Sequence, residues 1–369
     1  MTHISIKTSG KGSSYEIHVG DGLLKELGAR TAEIAGKTRA VVISNPTVAD
    51  LYVKRVLKGL ERAGLRTVLW TMKDGEKYKS LSSAEAALSF LADNRVTRSD
   101  VVIALGGGVV GDLAGFVSSV YLRGIPYIQV PTTLLSMIDS SVGGKTGVNT
   151  KFGKNLVGSF YSPGLVIADI STLRTLPERE MTAGLCEAIK QGAISGRTLF
   201  NKTAAFISER NDDLTGLVAA QITFKASIVK QDQYEDASRR DPKSRKILNF
   251  GHTFAHALEK VTSYRYFRHG EAVGWGIIFA STLSNYLEIL DANTLKLLND
   301  VVHRAGRLPS LRRIDPKRVL EAFGSDKKNF GGGLQWILLA GIGKPVILPA
   351  SEIPTSALQH TFKRIFDEP

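Results

Sequence analysis

The sequence predicts an α/β protein with an N-terminal nucleotide-binding domain on a parallel sheet, followed by a mostly α-helical metal-binding domain. Three observations carry that expectation. Short apolar runs alternate with helix-period stretches through the first half of the chain, a glycine loop follows one of the runs, and strand signals nearly vanish beyond Leu176. The composition agrees, since 43% hydrophobic and 22% charged residues exclude a disordered or collagen-like chain. With 36 glycines and no low-complexity tract to absorb them, many tight turns and close backbone approaches are expected.

In chain order, two alternating stretches, ISIKT and YEIHV, flank Gly-Lys-Gly-Ser-Ser between Ile4 and Val19 and read as a β-hairpin. Apolar runs Ala40–Ser44, Thr67–Trp70, Val101–Leu105 and Tyr127–Val130 then alternate with helical stretches near 21–36, 47–63, 81–94 and 109–121. This is the grammar of parallel strands covered by helices. Pro177-Glu178-Arg179-Glu180 opens a series of helical segments reaching to about 323, interrupted later by one strand, Gln335–Leu339. The expected domains are therefore residues 1–177 and 178–369.

A formal charge of +13 attracts anions of any kind. The basic residues are spread along the chain without a run or an aromatic-interleaved stripe, so nucleic acid is not the expected partner. The longest apolar stretch, Val101 to Leu122, is broken by Asp112 and several glycines and makes a poor membrane span. A single cysteine, Cys186, and an N-terminus without a secretory core predict a cytoplasmic protein.

Behind the run Val101–Leu105 comes Gly106-Gly107-Gly108-Val109-Val110-Gly111-Asp112. Glycines there let backbone amides approach a pyrophosphate at a helix N-terminus, although the spacing differs from the Rossmann fingerprint and a bare tight turn has the same look. Asp74 or Asp112 could serve ribose hydroxyls or cap a helix, and the Asp74–Lys79 segment falls at the sheet edge where nucleotides bind.

Further on, His252 and His256 lie one turn apart, and His269 follows within eighteen residues of His252. Neutral imidazoles so grouped suit a divalent metal, and the shortage of cysteine argues for a mixed His and carboxylate site with an open position. Spacing alone leaves Glu187, Glu259 and Glu271 all open as the carboxylate. Lys145 in Gly143-Gly144-Lys145-Thr146-Gly147 lacks the preceding glycine of a P-loop, so Lys145 and Lys154 read as point charges for anions in glycine-rich loops.

These motifs together resemble the 3-dehydroquinate synthases, sugar phosphate cyclases that use NAD and zinc. DGEKYKS, GGGVVGDLAGFVSSVYLRG, QVPTTLLSMIDSSVGGKTGVN, GKNLVGSF, NFGHTFAHALE and HGEAVGWG follow the family's order over nearly the entire chain. The resemblance implies conversion of 3-deoxy-D-arabino-heptulosonate 7-phosphate to 3-dehydroquinate in the shikimate pathway, an early stage of aromatic amino acid biosynthesis. Its steps are oxidation by NAD, phosphate elimination in which the departing phosphate takes the proton, reduction by the same NADH, and aldol closure.

Carried over by resemblance, the metal ligands are Glu187, His252 and His269, with Zn2+ expected and Co2+ as a substitute, and His256 passes to substrate phosphate. NAD draws on Asp74, Glu76, Lys79, Gly107, Gly108, Asp112, Thr132, Thr133, Lys145, Lys154, Thr172 and Thr175. Phosphate meets Lys145, Asn155, Asn249, His256 and Lys327 or its neighbour Lys328, with Arg123 lent by the partner in a homodimer. Lys225 and Arg245 hold the substrate carboxylate, and Asp139 and Lys190 address ring hydroxyls.

One segment departs from the family pattern, because about half a dozen extra residues separate Asp232 from Arg245. Arg245 keeps the distance to Asn249, whereas Arg239 and Arg240 are the other candidates for the carboxylate arginine, and the insertion is expected to bulge outward. Cys186, beside Glu187, reads as packing. The rival activities are a related cyclase making an amino analogue or a pseudo-sugar, and a metal-dependent polyol dehydrogenase. A site built for a substrate without a carboxylate would leave Lys225 and Arg245 unpaired.

Overall fold

Apolar runs without polar alternation suit strands that are covered on both faces, and Ala40–Ser44, Val101–Leu105 and Tyr127–Val130 lie buried in the centre of the first unit, Met1–Leu176, whereas Thr67–Trp70 lies on its half-buried edge strand. The computed structural model describes residues 2–7, 14–36, 38–209, 213–326 and 334–367. Strands β1 (Thr2–Lys7) and β2 (Ser14–Gly20) pair antiparallel at one edge of a seven-stranded sheet. After α1 (Leu27–Ala35) come β3 (Arg39–Ser44), α2 (Pro46–Arg62), β4 (Arg66–Thr71), α3 (Leu81–Asp93), β5 (Val101–Gly106), α4 (Gly108–Val120) and β6 (Tyr127–Pro131). An antiparallel pair, β7 (Lys145–Thr150) and β8 (Gly153–Phe160), precedes β9 (Leu165–Asp169), which returns to the sheet. The sheet order is β1-β2-β9-β6-β5-β3-β4, parallel except for its first pair.

Period-two geometry sends alternate residues to opposite faces. Val41, Ile43, Val102 and Ala104 pack with α3 and α4, whereas Ala40, Val42, Val101, Ile103 and Leu105 pack with α1 and α2. The chain therefore leaves β3 on one face and β5 on the other. Adjacent strands with connections on opposite faces open a crevice at their carboxyl ends, where ligands of open α/β sheets bind. Gly106–Gly108 lies at that switch point.

Local signals place the flanking helices. Asn45 caps α2, its Oδ1 accepting from the Val48 amide at 3.2 Å, and Pro46 occupies the first helical position. Ser80 caps α3 in the same way.

The second unit, Pro177–Pro369, contains α5 (Glu178–Ser195), α6 (Arg197–Glu209), α7 (Leu214–Gln231), α8 (His252–Val261), α9 (His269–Tyr286), α10 (Ala292–Ala305) and α11 (Pro316–Asp326). The hairpin β10 (Gln335–Leu339) and β11 (Pro345–Pro349) and the helix α12 (Thr355–Asp367) complete it. Buried from Gly270 to Ser284, α9 is the central helix, and α5, α8, α10 and α12 pack around it. Phe254, Phe279, Trp336 and Phe362 join α8, α9, β10 and α12 in one aromatic cluster.

The α/β class is the one the sequence predicts, with three local differences. Lys145, Lys154 and Asn155, read as loop residues, stand on β7 and β8. Strand β9 is an additional central strand, and the late strand β10 has a partner, β11. The helix expected near 21–36 begins as a short 3-10 turn at Leu23–Lys25. No helix among the described residues is long and apolar enough to cross a membrane.

Candidate active site

On the first unit, Gly107 ends the loop behind β5 in an extended conformation, and Gly108 begins α4. A Cβ on Gly108 would reach Ser140 Oγ at 3.0 Å, and one on Gly107 would reach Thr133 Cγ2 at 3.1 Å, so the glycines keep this cradle open. Thr132 Oγ1 is buried beside it with no hydrogen-bond partner, which fits a polar group arriving from a bound dinucleotide.

Asp112 accepts from Lys79 Nζ at 2.7 Å, and Glu76 Oε1 lies 3.5 Å from the same ammonium and 3.8 Å from Lys154 Nζ. Burial disfavours the Lys79 charge, but Asp112 and Glu76 outweigh it and raise its pKa. Asp74 accepts from Thr47 Oγ1 at 3.0 Å. Thr172 and Thr175 sit in the turn after β9, where the Thr172 hydroxyl donates to Asp169 O at 2.8 Å and Tyr52 bonds to both threonines. Asn149, which sequence reading missed, bonds Glu76 Oε1 at 2.8 Å and accepts from the Asn155 amide at 3.0 Å. It joins the segment after β4 to the β7–β8 pair.

Asp139 and Lys145 lie on a π-helical turn and at the start of β7 respectively, with Lys145 exposed. Arg123 is exposed on a turn where Leu122 and Arg123 both have left-handed φ, 49° and 66°. Such residues cost about 1 kcal/mol or more each. The Arg98 guanidinium holds the turn by donating twice to Leu122 O, at 3.0 and 2.8 Å.

On the second unit, α5, α8 and α9 bring Glu187, His252 and His269 together, with one ligand atom of each within 4.8 Å of the others. His252 Nδ1 donates to Phe250 O at 3.2 Å and His269 Nδ1 to Glu259 Oε2 at 3.3 Å. Those bonds turn both Nε2 atoms toward Glu187 Oε1, at 3.8 and 3.4 Å. Glu187 is fully buried and neither of its oxygens makes a well-directed hydrogen bond, although Lys190 Nζ stands 2.5 Å from Oε2. An anionic, under-bonded carboxylate facing two imidazole nitrogens fits a divalent cation.

Of the other two carboxylates, Glu259 orients His269, and Glu271 is taken by Arg179 at 2.7 and 2.6 Å and by the Arg268 amide. Cys186 is buried and burial pushes its thiol pKa up, as packing against Gly274 would give.

The convergence depends on close helix approach. A Cβ on Gly270, in the first turn of α9, would lie 1.9 Å from Ala183 O of α5. A Cβ on Gly276 would lie 2.0 Å from the carbonyl of Gly251, which at φ 78° starts α8. Side chains at either position would push apart the helices that carry the three residues.

Lys190, Lys225 and Arg245 are all buried cations of this unit. Asn249 and His256 are exposed, and His256 stands beside His252 with ring centroids 5.4 Å apart. The insertion closes on itself: Asp232 Oδ2 accepts from the Arg245 amide at 2.8 Å and Oδ1 from the Asp236 amide at 2.8 Å. Arg239 pairs with Asp241 and reaches back to Gln231 O, and Arg240 is exposed. The segment is not wholly turned outward, because Gln233 O accepts from Arg245 Nη1 at 2.7 Å and Glu235 Oε1 from Asn249 Nδ2 at 3.3 Å. Lys327 and Lys328 lie outside the described residues.

Two outcomes follow from this geometry. Gly270→Ala should cost about 1–3 kcal/mol through overpacking and lower metal content after dialysis, while NAD affinity, read by fluorescence titration, stays within twofold. The second concerns protons. Burial disfavours the His269 charge, but Glu259 and Glu187 outweigh it and raise its pKa to about 10, whereas burial and Lys190 hold His252 well below its usual value. Burial also opposes charge on Glu187, yet Lys190 and the histidines keep it ionised. Since the raised pKa keeps His269 protonated at all lower pH, metal must displace that proton. Metal affinity should rise about tenfold per pH unit up to that value, and calorimetry in buffers of different ionisation enthalpy should count about one proton released. Proton-neutral binding at pH 7 would contradict the assignment.

The 3-dehydroquinate synthase N-terminal family matches residues 69–183, and the C-terminal family of the same enzyme matches residues 184–329. A 3-dehydroquinate synthase of Nitrosomonas europaea is 38% identical over 366 residues, covering 97% of this chain and 96% of its own. Among solved structures, 2-deoxy-scyllo-inosose synthase complexed with carbaglucose-6-phosphate, NAD+ and Co2+ superposes with a TM-score of 0.87 at 25% identity, over 98% of this chain and 99% of that one. The 2-epi-5-epi-valiolone synthase of Streptomyces hygroscopicus subsp. jinggangensis, with NAD+ and Zn2+ bound, gives 0.86 at 25% identity, over 98% and 99%. With family models matching residues 69–329 and a relative 38% identical over 97% of the chain, the chain belongs to the 3-dehydroquinate synthase family.

Proposed function

We propose that this protein converts 3-deoxy-D-arabino-heptulosonate 7-phosphate to 3-dehydroquinate and phosphate, as an NAD- and zinc-dependent lyase that Co2+ can also activate. The observation that carries the reading is the buried Glu187 carboxylate facing two imidazoles, in a unit that also buries Lys190, Lys225 and Arg245. This substrate is a carboxylate and a phosphate ester at once, and a divalent metal with several cations in one unit suits such a polyanion.

When bound, NAD supplies a reversible hydride acceptor and the metal supplies Lewis acidity toward an alcohol. Glu187, His252 and His269 hold the metal, and Glu259 orients His269. Gly107, Gly108, Thr132 and Thr133 line the cradle for NAD, with Asp74, Glu76, Lys79, Asp112, Lys145, Lys154, Thr172 and Thr175 as its polar contacts.

Arg245, pinned at its amide by Asp232 and at its guanidinium by Gln233 O, presents a planar fork that matches a carboxylate, with Lys225 as a second charge. Lys145, Asn155, Asn249 and His256 contact the phosphate, and Lys327 is assigned to it as well. The Lys190 ammonium, held beside Glu187, is assigned to one ring hydroxyl and Asp139 to another. Departing phosphate takes the proton of its own elimination, so no side chain is assigned as base. The protein acts in the cytoplasm as a homodimer in which the exposed, turn-strained Arg123 reaches the partner's phosphate.

Incubation with the keto acid phosphate, zinc and substoichiometric NAD tests the reading. Many equivalents of phosphate and carbocyclic product per NAD are expected, whereas NADH accumulating one-to-one with product would make the protein a dehydrogenase. For the carboxylate, Arg245→Lys should lower kcat/KM by tenfold or more, about 1.4 kcal/mol of transition-state binding. Arg239→Lys and Arg240→Lys should change it less than twofold, since Arg239 is engaged within the loop by Asp241 and Gln231 O, and Arg240 is exposed, where a charge contributes little. Equal losses in the three variants would reassign the carboxylate contact.

A further inference from the structure

The hairpin β1–β2 carries a second group of metal-ligating side chains that the proposed reaction does not use. His3 and His18 are directly opposed in the antiparallel register, and their rings meet edge to face with centroids 4.2 Å apart. Glu16, two residues before His18, emerges from the same face of β2, and its Oε2 lies 2.8 Å from His18 Nε2. One ligand atom from each of the three falls within 4.8 Å of the others.

We propose that His3, Glu16 and His18 form a second divalent metal site, separate from Glu187, that takes a borderline ion of the zinc, nickel or copper class. The donor set argues for that class. Two imidazoles and one carboxylate suit these ions, whereas calcium and magnesium require shells of oxygen.

The geometry argues for preorganisation. The side chain of His18 is only 5% exposed, so packing fixes its ring, while that of Glu16 is 61% exposed and leaves an approach for the ion and for waters in its remaining positions. The ladder of β1 and β2 sets the distance between the two histidines. Arg30, the cation that acts on Glu16, is itself engaged by Glu26 and Glu33 at 3.5 and 3.3 Å. Occupancy also has a structural effect. β1 is an edge strand that, among the described residues, pairs only with β2, so an ion bridging His3 to Glu16 and His18 ties that edge to the sheet.

Equilibrium dialysis of the full-length, chelator-stripped protein against zinc alone, above neutral pH, tests the site. Two zinc equivalents per chain are expected in the wild type, and a single one in His3→Ala and in Glu16→Gln. Both variants should keep wild-type turnover, which separates loss of this site from unfolding or damage at Glu187. Zinc should also raise the thermal midpoint of a Glu187→Gln variant, and His3→Ala should remove that shift. One equivalent in the wild type, or persistence of the second in either variant, overturns the proposal.

Discussion

A carboxylate in the middle of a helical core loses its hydration, a cost of several kcal/mol that only nearby positive charge can offset. Glu187 is in that position, and much of the second unit is arranged around it. Lys190, one turn along the same helix, supplies a cation in contact, and two imidazoles close the other side. For the imidazoles to reach it, α9 must approach α5 and α8 more closely than side chains allow, which is why Gly270, Gly276 and Gly251 stand at the crossings. Packing and electrostatics there form one constraint, since a longer distance between helices would leave the charge uncompensated.

How much of this was legible in the sequence depends on the kind of signal. The central strands β3, β5 and β6 are continuous apolar runs and declare themselves. The pair β7–β8 does not, because Lys145–Phe160 is rich in glycine and polar residues with no alternating apolar face. Its Gly147 and Gly158 face each other, where a Cβ would meet the opposite backbone at 2.8 and 2.2 Å. Strand identity there comes from tertiary contact, which local propensity does not encode.

At the candidate site, the three histidines are visible as a cluster, but the carboxylate opposite them is not. Glu259 and Glu271 are nearer in sequence, yet one orients an imidazole and the other answers Arg179. Spacing does not single out Glu187; packing of α5 against α9 does. Asn149 and Glu235 went unnoticed for a related reason: each acts through a hydrogen bond to a residue far along the chain or across an irregular loop. The family resemblance supplied roles that spacing left open.

The loop after α7 has a consequence for how this fold tolerates change in length. Asp232 fastens both the start of the loop, through the Asp236 amide, and its end, through the Arg245 amide and the Ser244 hydroxyl. With its two ends clasped by one buried side chain, added residues alter only the entropy of a closed excursion, about 0.6 kcal/mol for each doubling of length. Variation in chain length is thereby uncoupled from the placement of Arg245. The tip between Ala237 and Lys243 can serve as a port for foreign sequence, such as an affinity tag or a reporter domain, without re-registering the helix that follows.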